Sequence, residues 1–121
     1  MTTPVGPYTP VVRSGDWIIC SGQVGLAGGR LVEGGVRDQL AQAMNNLRTL
    51  LESEGATLAD VVKTTVFLVD MGDYATMNEV YVEAFDEHAG GHRPARSAVA
   101  VAALPIGAQV EIEAWARVSG G

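Results

Sequence analysis

The 121-residue chain holds one cysteine, one lysine and few aromatic residues, and each scarcity removes a class of protein. Cys20 alone forms no intramolecular disulfide and supports no Cys-rich zinc framework. Eight Lys and Arg stand against fourteen Asp and Glu, a formal charge of −6, which argues against a nucleic-acid partner held by counterion release. Long apolar runs are also missing. The longest uncharged stretch, Ser97 to Val110, has 14 residues and is broken by Pro105, too short to cross a bilayer, so no membrane partner is expected. Met1 to Pro7 carry neither a basic cluster nor an apolar run of the targeting kind, which makes the cytoplasm the expected address.

What remains is the composition of a globular protein, 47% hydrophobic and 18% charged. No repeat, low-complexity block or composition shift divides it, so residues 1–121 read as a single domain.

Periodicity supplies the elements. Residues 9–23 read as a hairpin around Ser14-Gly15-Asp16, and Gly25–Gly35, with five glycines, as a loop with a short strand at Leu31-Val32. Val36, Leu40, Met44, Leu47 and Leu51 recur at helical spacing, with Gly55 where a C-terminal cap belongs. Met77, Val80, Tyr81, Ala84 and Phe85 mark a second helix, with Asp73 as its N-cap. Between them, 60–69 is β-branched and apolar on both faces, as in a central strand covered on two sides. Ser97–Leu104 and Gln109–Val118 flank Leu104-Pro105-Ile106-Gly107, which suits a type I turn, so these two segments are expected to pair as a hairpin. The order β-β-α-β-α-β-β predicts an α+β fold, a mixed sheet with both helices packed on one face.

Pairing Leu104 with Gly107 puts Val99, Val101 and Ala103 on the core face with Val110, Ile112, Ala114 and Ala116. It gathers Arg96, Ala98, Ala100 and Ala102 with Glu111, Glu113, Trp115 and Arg117 on the other face. That is a shallow floor with polar walls, fit for a small charged ligand, with Arg96 and Glu111 on the order of 13 Å apart. The plain alternative is a set of surface ion pairs, which Glu113 and Arg117 suit well.

The other chemistry-bearing residues read as structural. Cys20 sits in an apolar run as a small hydrophobe. His88 and His92 lack a third ligand, so no metal is expected. Ser21 lacks the glycine two residues before it that a nucleophile elbow needs, and the glycines match no dinucleotide or phosphate fingerprint. Lys63 stands mid-strand, Met44 and Met77 belong to core stripes, and Asn46 and Asn78 are helical positions of the kind that usually face solvent.

Taken together, Gly6-Pro7-Tyr8, Ser21-Gly22-Gln23, Asp60 to Leu68, Pro94-Ala95-Arg96-Ser97, Leu104-Pro105 and Val110-Glu111-Ile112-Glu113-Ala114 resemble the RidA/YjgF family, in family order and over nearly the whole chain. The resemblance implies a chorismate-mutase-like fold whose sheets form a barrel in a homotrimer, with sites between subunits. It implies a 2-iminobutanoate/2-iminopropanoate deaminase of the metabolite damage control type, which needs no cofactor and hydrolyses enamine and imine acids to 2-oxo acids and ammonia. Arg96 matches the arginine that clamps the substrate carboxylate, and Glu111 the glutamate that positions water. Tyr8, Ser21, Gly22 and Asn78 match cleft residues, and Ala98 stands where many members have cysteine. His92-Arg93 replaces the usual aromatic before Pro94. A non-catalytic trimer that binds small carboxylates or acts as a holdase is the alternative the same family offers.

Overall fold

Alternation in the strands and 3.6-residue periodicity in the helices meet in one apolar seam. The computed structural model describes residue 4 and residues 6–119. Its strands are β1 (Val11–Ser14), β2 (Trp17–Gln23), β3 (Leu26–Ala27), β4 (Arg30–Leu31), β5 (Val61–Leu68), β6 (Ala95–Ala100) and β7 (Val110–Arg117), and its helices are α1 (Val36–Ser53) and α2 (Tyr74–Ala89). A five-stranded mixed sheet runs in the order β1-β2-β7-β5-β6, and β3 and β4 form a separate small hairpin.

The core is one face of that sheet closed by both helices. Ile18, Cys20, Val61, Val66, Leu68, Val110, Ile112, Ala114 and Ala116 pack with Leu40, Met44, Leu47 and Leu51 of α1 and with Met77, Tyr81 and Phe85 of α2. Each large side chain removed from water here is worth about 1.5–3 kcal/mol. The predicted helical stripes are the buried ones, so an α+β fold with two helices on a mixed sheet stands as expected. Helix α1 ends in a Schellman turn: Ala56 N–H reaches Leu51 O, Gly55 N–H reaches Glu52 O, and Gly55 takes φ +78. Helix α2 begins after Asp73 as expected, but the capping bond is supplied by Asp70, whose carboxylate accepts from Gly72 N–H in the preceding 3-10 turn. Among the described residues no helix is long and apolar enough to cross a membrane.

The β1–β2 hairpin forms as expected, with Ser14 opposite Trp17 and Gly15 at φ +61. The C-terminal hairpin does not form. β6 pairs with β5 in parallel, and β7 lies antiparallel between β2 and β5. A parallel pair needs a long crossover, which α2 provides, and β5, apolar on both faces, gains two neighbours in this arrangement. The Leu104–Gly107 segment therefore carries the chain across to β7, and it is not a type I turn: Ile106 takes φ 54, ψ 24 in the left-handed region, an uncommon place for a β-branched residue.

Candidate active site

The sheet face away from the helices carries Trp17, Ile19 and Ser21 from β2, Glu111, Glu113 and Trp115 from β7, and Lys63, Thr65 and Phe67 from β5, as the registers require. Toward the β2–β7 end this face opens into a cavity of about 480 Å³ lined by Tyr8, Ser21, Gly22 and Glu111, with Glu113, Trp115, Pro10 and Pro105 also in its wall.

Its geometry comes from a local irregularity. The β2–β7 register slips between Cys20 and Gln23, a bulge that re-aims the strand. The bulge is tied down by Ser21, whose hydroxyl donates to Thr9 O at 2.7 Å and whose N–H donates to Pro10 O at 2.8 Å. Buried Gln23 donates its side-chain amide back to Ser21 O at 3.1 Å. Gly22 is then pressed against Glu111: a Cβ there would lie 2.5 Å from Glu111 Oε2 and 2.7 Å from its Cδ. The absence of a side chain at residue 22 is what lets the carboxylate lie across the bulge.

Glu111 is half-buried in this wall, and its pKa is raised above the ordinary carboxylate value, first by burial and then by the nearby charge of Glu113. No ion pair reaches it among the described residues. A carboxyl group so tuned moves a proton to and from water more readily at neutral pH than an exposed one.

Arg96 lies elsewhere. In the parallel β5–β6 register it sits opposite Thr64, and Thr64 is also opposite Ala114, both buried beneath the helices, whereas Glu111 is opposite Phe67 on the open face. The expected common floor of Arg96, Ala98, Ala100 and Glu111 is thus corrected: the residues that share Glu111's face on β6 are Ala95, Ser97 and Val99. The cause is the strand order, since β6 takes its facing from β5 and not from a turn into β7. Val99, expected in the core, is correspondingly 41% exposed.

At the sheet edge Arg96 is held by α2. Its Nη2 donates to Tyr74 Oη at 3.0 Å, its Nη1 approaches Met77 Sδ at 3.5 Å, and its guanidinium carbon stands 4.9 Å from the Tyr81 ring centre and 5.6 Å from that of Tyr74. Ala98, two residues on, is half-buried against the core. Asn78, next to Met77, keeps its Oδ1 buried with no hydrogen-bond partner among the described residues, which corrects the expectation of a solvent-facing residue. The expected site residues therefore fall into two groups within one chain: Tyr8, Ser21, Gly22 and Glu111 around the cavity, and Arg96 and Ala98 on β6 with Asn78 on the neighbouring α2.

Sequence reasoning missed Tyr74 and Tyr81 as neighbours of Arg96. The available signal was the i, i+3, i+7 spacing of Tyr74, Met77 and Tyr81, which reads equally as a core stripe. Cys20 is buried, and burial pushes its thiol up to about 12, with Glu54 adding to the shift, so it is inert at neutral pH as expected. Lys63 donates to Ser97 Oγ at 2.8 Å. Arg117 approaches Asp16 at 3.7 Å and not Glu113. Half-buried Asn46 donates to the carbonyls of Val24 and Leu26, supporting the β3 segment, which corrects its reading as solvent-facing. His92 Nε2 donates to Val61 O at 2.7 Å and His88 lies 3.5 Å from Glu87, so the two histidines serve separate contacts.

Comparison with known proteins gives a consistent set. A family model described as Endoribonuclease L-PSP matches residues 1–118. The chain is 48% identical over 114 residues to a mouse protein named 2-iminobutanoate/2-iminopropanoate deaminase, covering 93% of this chain and 82% of that one. It is 43% identical over 115 residues to a RutC family protein of Pyrococcus horikoshii, covering 93% and 88%. The crystal structure of Escherichia coli TdcF with bound serine superposes with a TM-score of 0.91 at 38% identity, covering 96% of this chain and 91% of that one.

Proposed function

Because this chain belongs to the Endoribonuclease L-PSP family, in its RidA/YjgF branch, we propose that it hydrolyses small 2-imino acids and their enamine tautomers to 2-oxo acids and ammonia. The observation that carries the reading is Glu111: a half-buried carboxyl with a raised pKa, lying across Gly22 in a cavity that also holds Tyr8 and Ser21.

The chemistry asks for three things. Arg96 grips the substrate carboxylate through two parallel N–H bonds, which a planar guanidinium supplies and an ammonium does not. The protonated iminium carbon is electrophilic and needs a water held beside it, and Glu111 orients that water and takes one of its protons as the C–O bond forms. Glu111 then returns the proton to nitrogen in the tetrahedral carbinolamine, and as the C–N bond breaks and ammonia leaves it accepts the carbinolamine hydroxyl proton, so that the C=O bond of the 2-oxo acid forms; that proton then passes to solvent. An enamine substrate is first protonated at its terminal carbon to give the iminium.

Since Arg96 and Glu111 occupy different faces of one sheet, the site is formed between copies of the chain: the β6 edge of one protomer meets the cavity of the next, in a homotrimer. The half-exposed apolar residues of the open face, among them Trp17, Trp115 and Val99, favour such a covered arrangement.

The test is ammonia release from 2-iminopropanoate made in situ by an amino acid oxidase, with semicarbazide trapping the imine in competition. Wild type is expected to suppress the semicarbazone. Arg96→Ala and Glu111→Gln are each expected to lose at least about 100-fold in kcat/KM with the assembly intact. Wild-type rates in either variant would remove that residue from its role. The solved relative with bound serine supports a second reading, small-carboxylate binding without turnover; 2-oxobutanoate binding with no ammonia release would favour it.

A further inference from the structure

We propose that the Tyr74 hydroxyl is a positioning group that sets the grip of Arg96 on its carboxylate ligand; the inference rests on the clamp role just proposed for Arg96. The cradle around that guanidinium is built from two elements. Beneath it, Tyr81 is buried and its hydroxyl shares a 2.7 Å hydrogen bond with Thr64 Oγ1, the residue directly opposite Arg96 in the β5–β6 register. The Tyr81 ring, locked in this way, offers the guanidinium a fixed face at 4.9 Å. Tyr74 differs from it. It stands at the first position of α2, is 41% exposed, and accepts through its hydroxyl oxygen from Arg96 Nη2.

An arginine on an edge strand has four rotatable side-chain bonds, and its stacking on Tyr81 tolerates rotation of the guanidinium in its own plane. The Tyr74 hydroxyl removes that freedom, because a 3.0 Å bond to Nη2 fixes which N–H groups face α2 and which remain for a ligand. A carboxylate takes two parallel N–H groups or loses much of the bidentate benefit, so in-plane orientation decides affinity. The carboxylate is not the reacting group and binds alike in ground and transition states, so its loss of grip raises KM and leaves kcat nearly unchanged.

Tyr74→Phe keeps the ring and removes the hydroxyl. It is expected to raise KM for 2-iminopropanoate and Kd for 2-oxobutanoate together by about 3–10-fold, with kcat within about twofold. In ¹⁵N NMR the rotation of the Arg96 guanidinium about its Nε–Cζ bond is expected to speed up in this variant. Tyr74→Leu, which removes the ring as well, is the second variant and is expected to raise both constants further. Unchanged KM and Kd in Tyr74→Phe, or a fall in kcat at constant KM, overturns the proposal. If wild type releases no ammonia, the deaminase reading fails, and Kd with the NMR rotation rate still decides the role of Tyr74. Absence of 2-oxobutanoate binding by wild type overturns both.

Discussion

Adding a single methyl group at Gly22 tests whether the position of Glu111, and not merely its presence, matters. In Gly22→Ala the new Cβ would meet Glu111 Oε2 at 2.5 Å, Cδ at 2.7 Å and Cγ at 3.0 Å. Ordinary contact begins near 3.4 Å, so the carboxylate must retreat by about 0.9 Å from its place over the bulge. The backbone of residue 22 lies outside the left-handed region, so alanine is conformationally admissible and the collision is the whole effect. Because the group displaced is the far end of a flexible side chain, the stability cost should stay within about 1–2 kcal/mol. Activity is less forgiving. A displacement of about 1 Å in a group that positions a reactant costs on the order of 100-fold, so kcat for imine hydrolysis is expected to fall between about 30- and 100-fold while the thermal midpoint moves by only a few degrees. Gly35→Ala serves as the control. A Cβ there finds only Gln109 Oε1, at 3.9 Å, so activity should be unchanged, with a small stability loss from a poorer helix cap. A Gly22→Ala variant with wild-type kcat would refute the assignment of Glu111 to water positioning at this place.

The charge of Glu113 helps hold the Glu111 pKa up, so Glu113→Gln is expected to move the acidic limb of the kcat profile to lower pH, read as rate against pH between pH 4 and 8. The same shift has a stability sign. A carboxyl whose folded pKa exceeds its unfolded value binds more protons in the native state, so its contribution is present below the unfolded pKa and is lost as pH rises through the folded one. Glu111→Gln is therefore expected to raise the thermal midpoint at neutral pH relative to wild type while lowering kcat, and a lower midpoint would contradict the burial argument. In the buried Thr64–Tyr81 pair, Thr64→Val leaves the tyrosine hydroxyl unsatisfied and should cost about 1–3 kcal/mol in chemical denaturation, whereas the double variant Thr64→Val/Tyr81→Phe should recover part of that loss.

How much of this was readable in advance depended on how local the deciding physics is. The α1 stripe and its Gly55 terminus follow from spacing and from one left-handed residue, both contained within a few turns of helix. The β1–β2 hairpin is equally local, a two-residue Gly15-Asp16 turn with Ser14 against Trp17. The placement of β7 is not local. Its insertion between β2 and β5 is settled by which strands hydrogen-bond along the two edges of β5, and the Pro105-Ile106-Gly107 segment nearby gave a competing short-range answer. Face assignment on β6 was unreadable for a different reason: Ala98 and Ala100 alternate with Val99 and Val101, so both parities are apolar and only the pairing of Arg96 with Thr64 fixes which side is which. Ser21 and Gly22 on the irregular β2 segment and Glu111 on β7, expected together from their motifs, line one cavity, because a motif's order along the chain does not depend on strand register. The cradle of Tyr74, Met77 and Tyr81 was not expected, since one helix face served as core packing and as a seat for Arg96 together.

That separation of Arg96 from Glu111 leads to a mixing experiment whose outcome depends on topology alone. Arg96 leaves from the helix-covered side of an edge strand, and Glu111 from the open side of a strand two places inward. If every site combines Arg96 of one protomer with Glu111 of the next, chains carrying Arg96→Ala and chains carrying Glu111→Gln complement each other in a mixed assembly. With equal amounts unfolded together and refolded, half of the arginine positions and half of the glutamate positions are intact and assort independently. About a quarter of the sites then regain both groups in a symmetric oligomer, and the mixture recovers about a quarter of wild-type activity from two nearly inactive parents. A site completed within a single chain predicts none, because no protomer in the mixture carries both residues. Activity that stays at the level of the parents, in mixtures whose mixed assembly is verified by mass spectrometry, would break the intersubunit site while leaving the cavity and the Arg96 cradle as they stand.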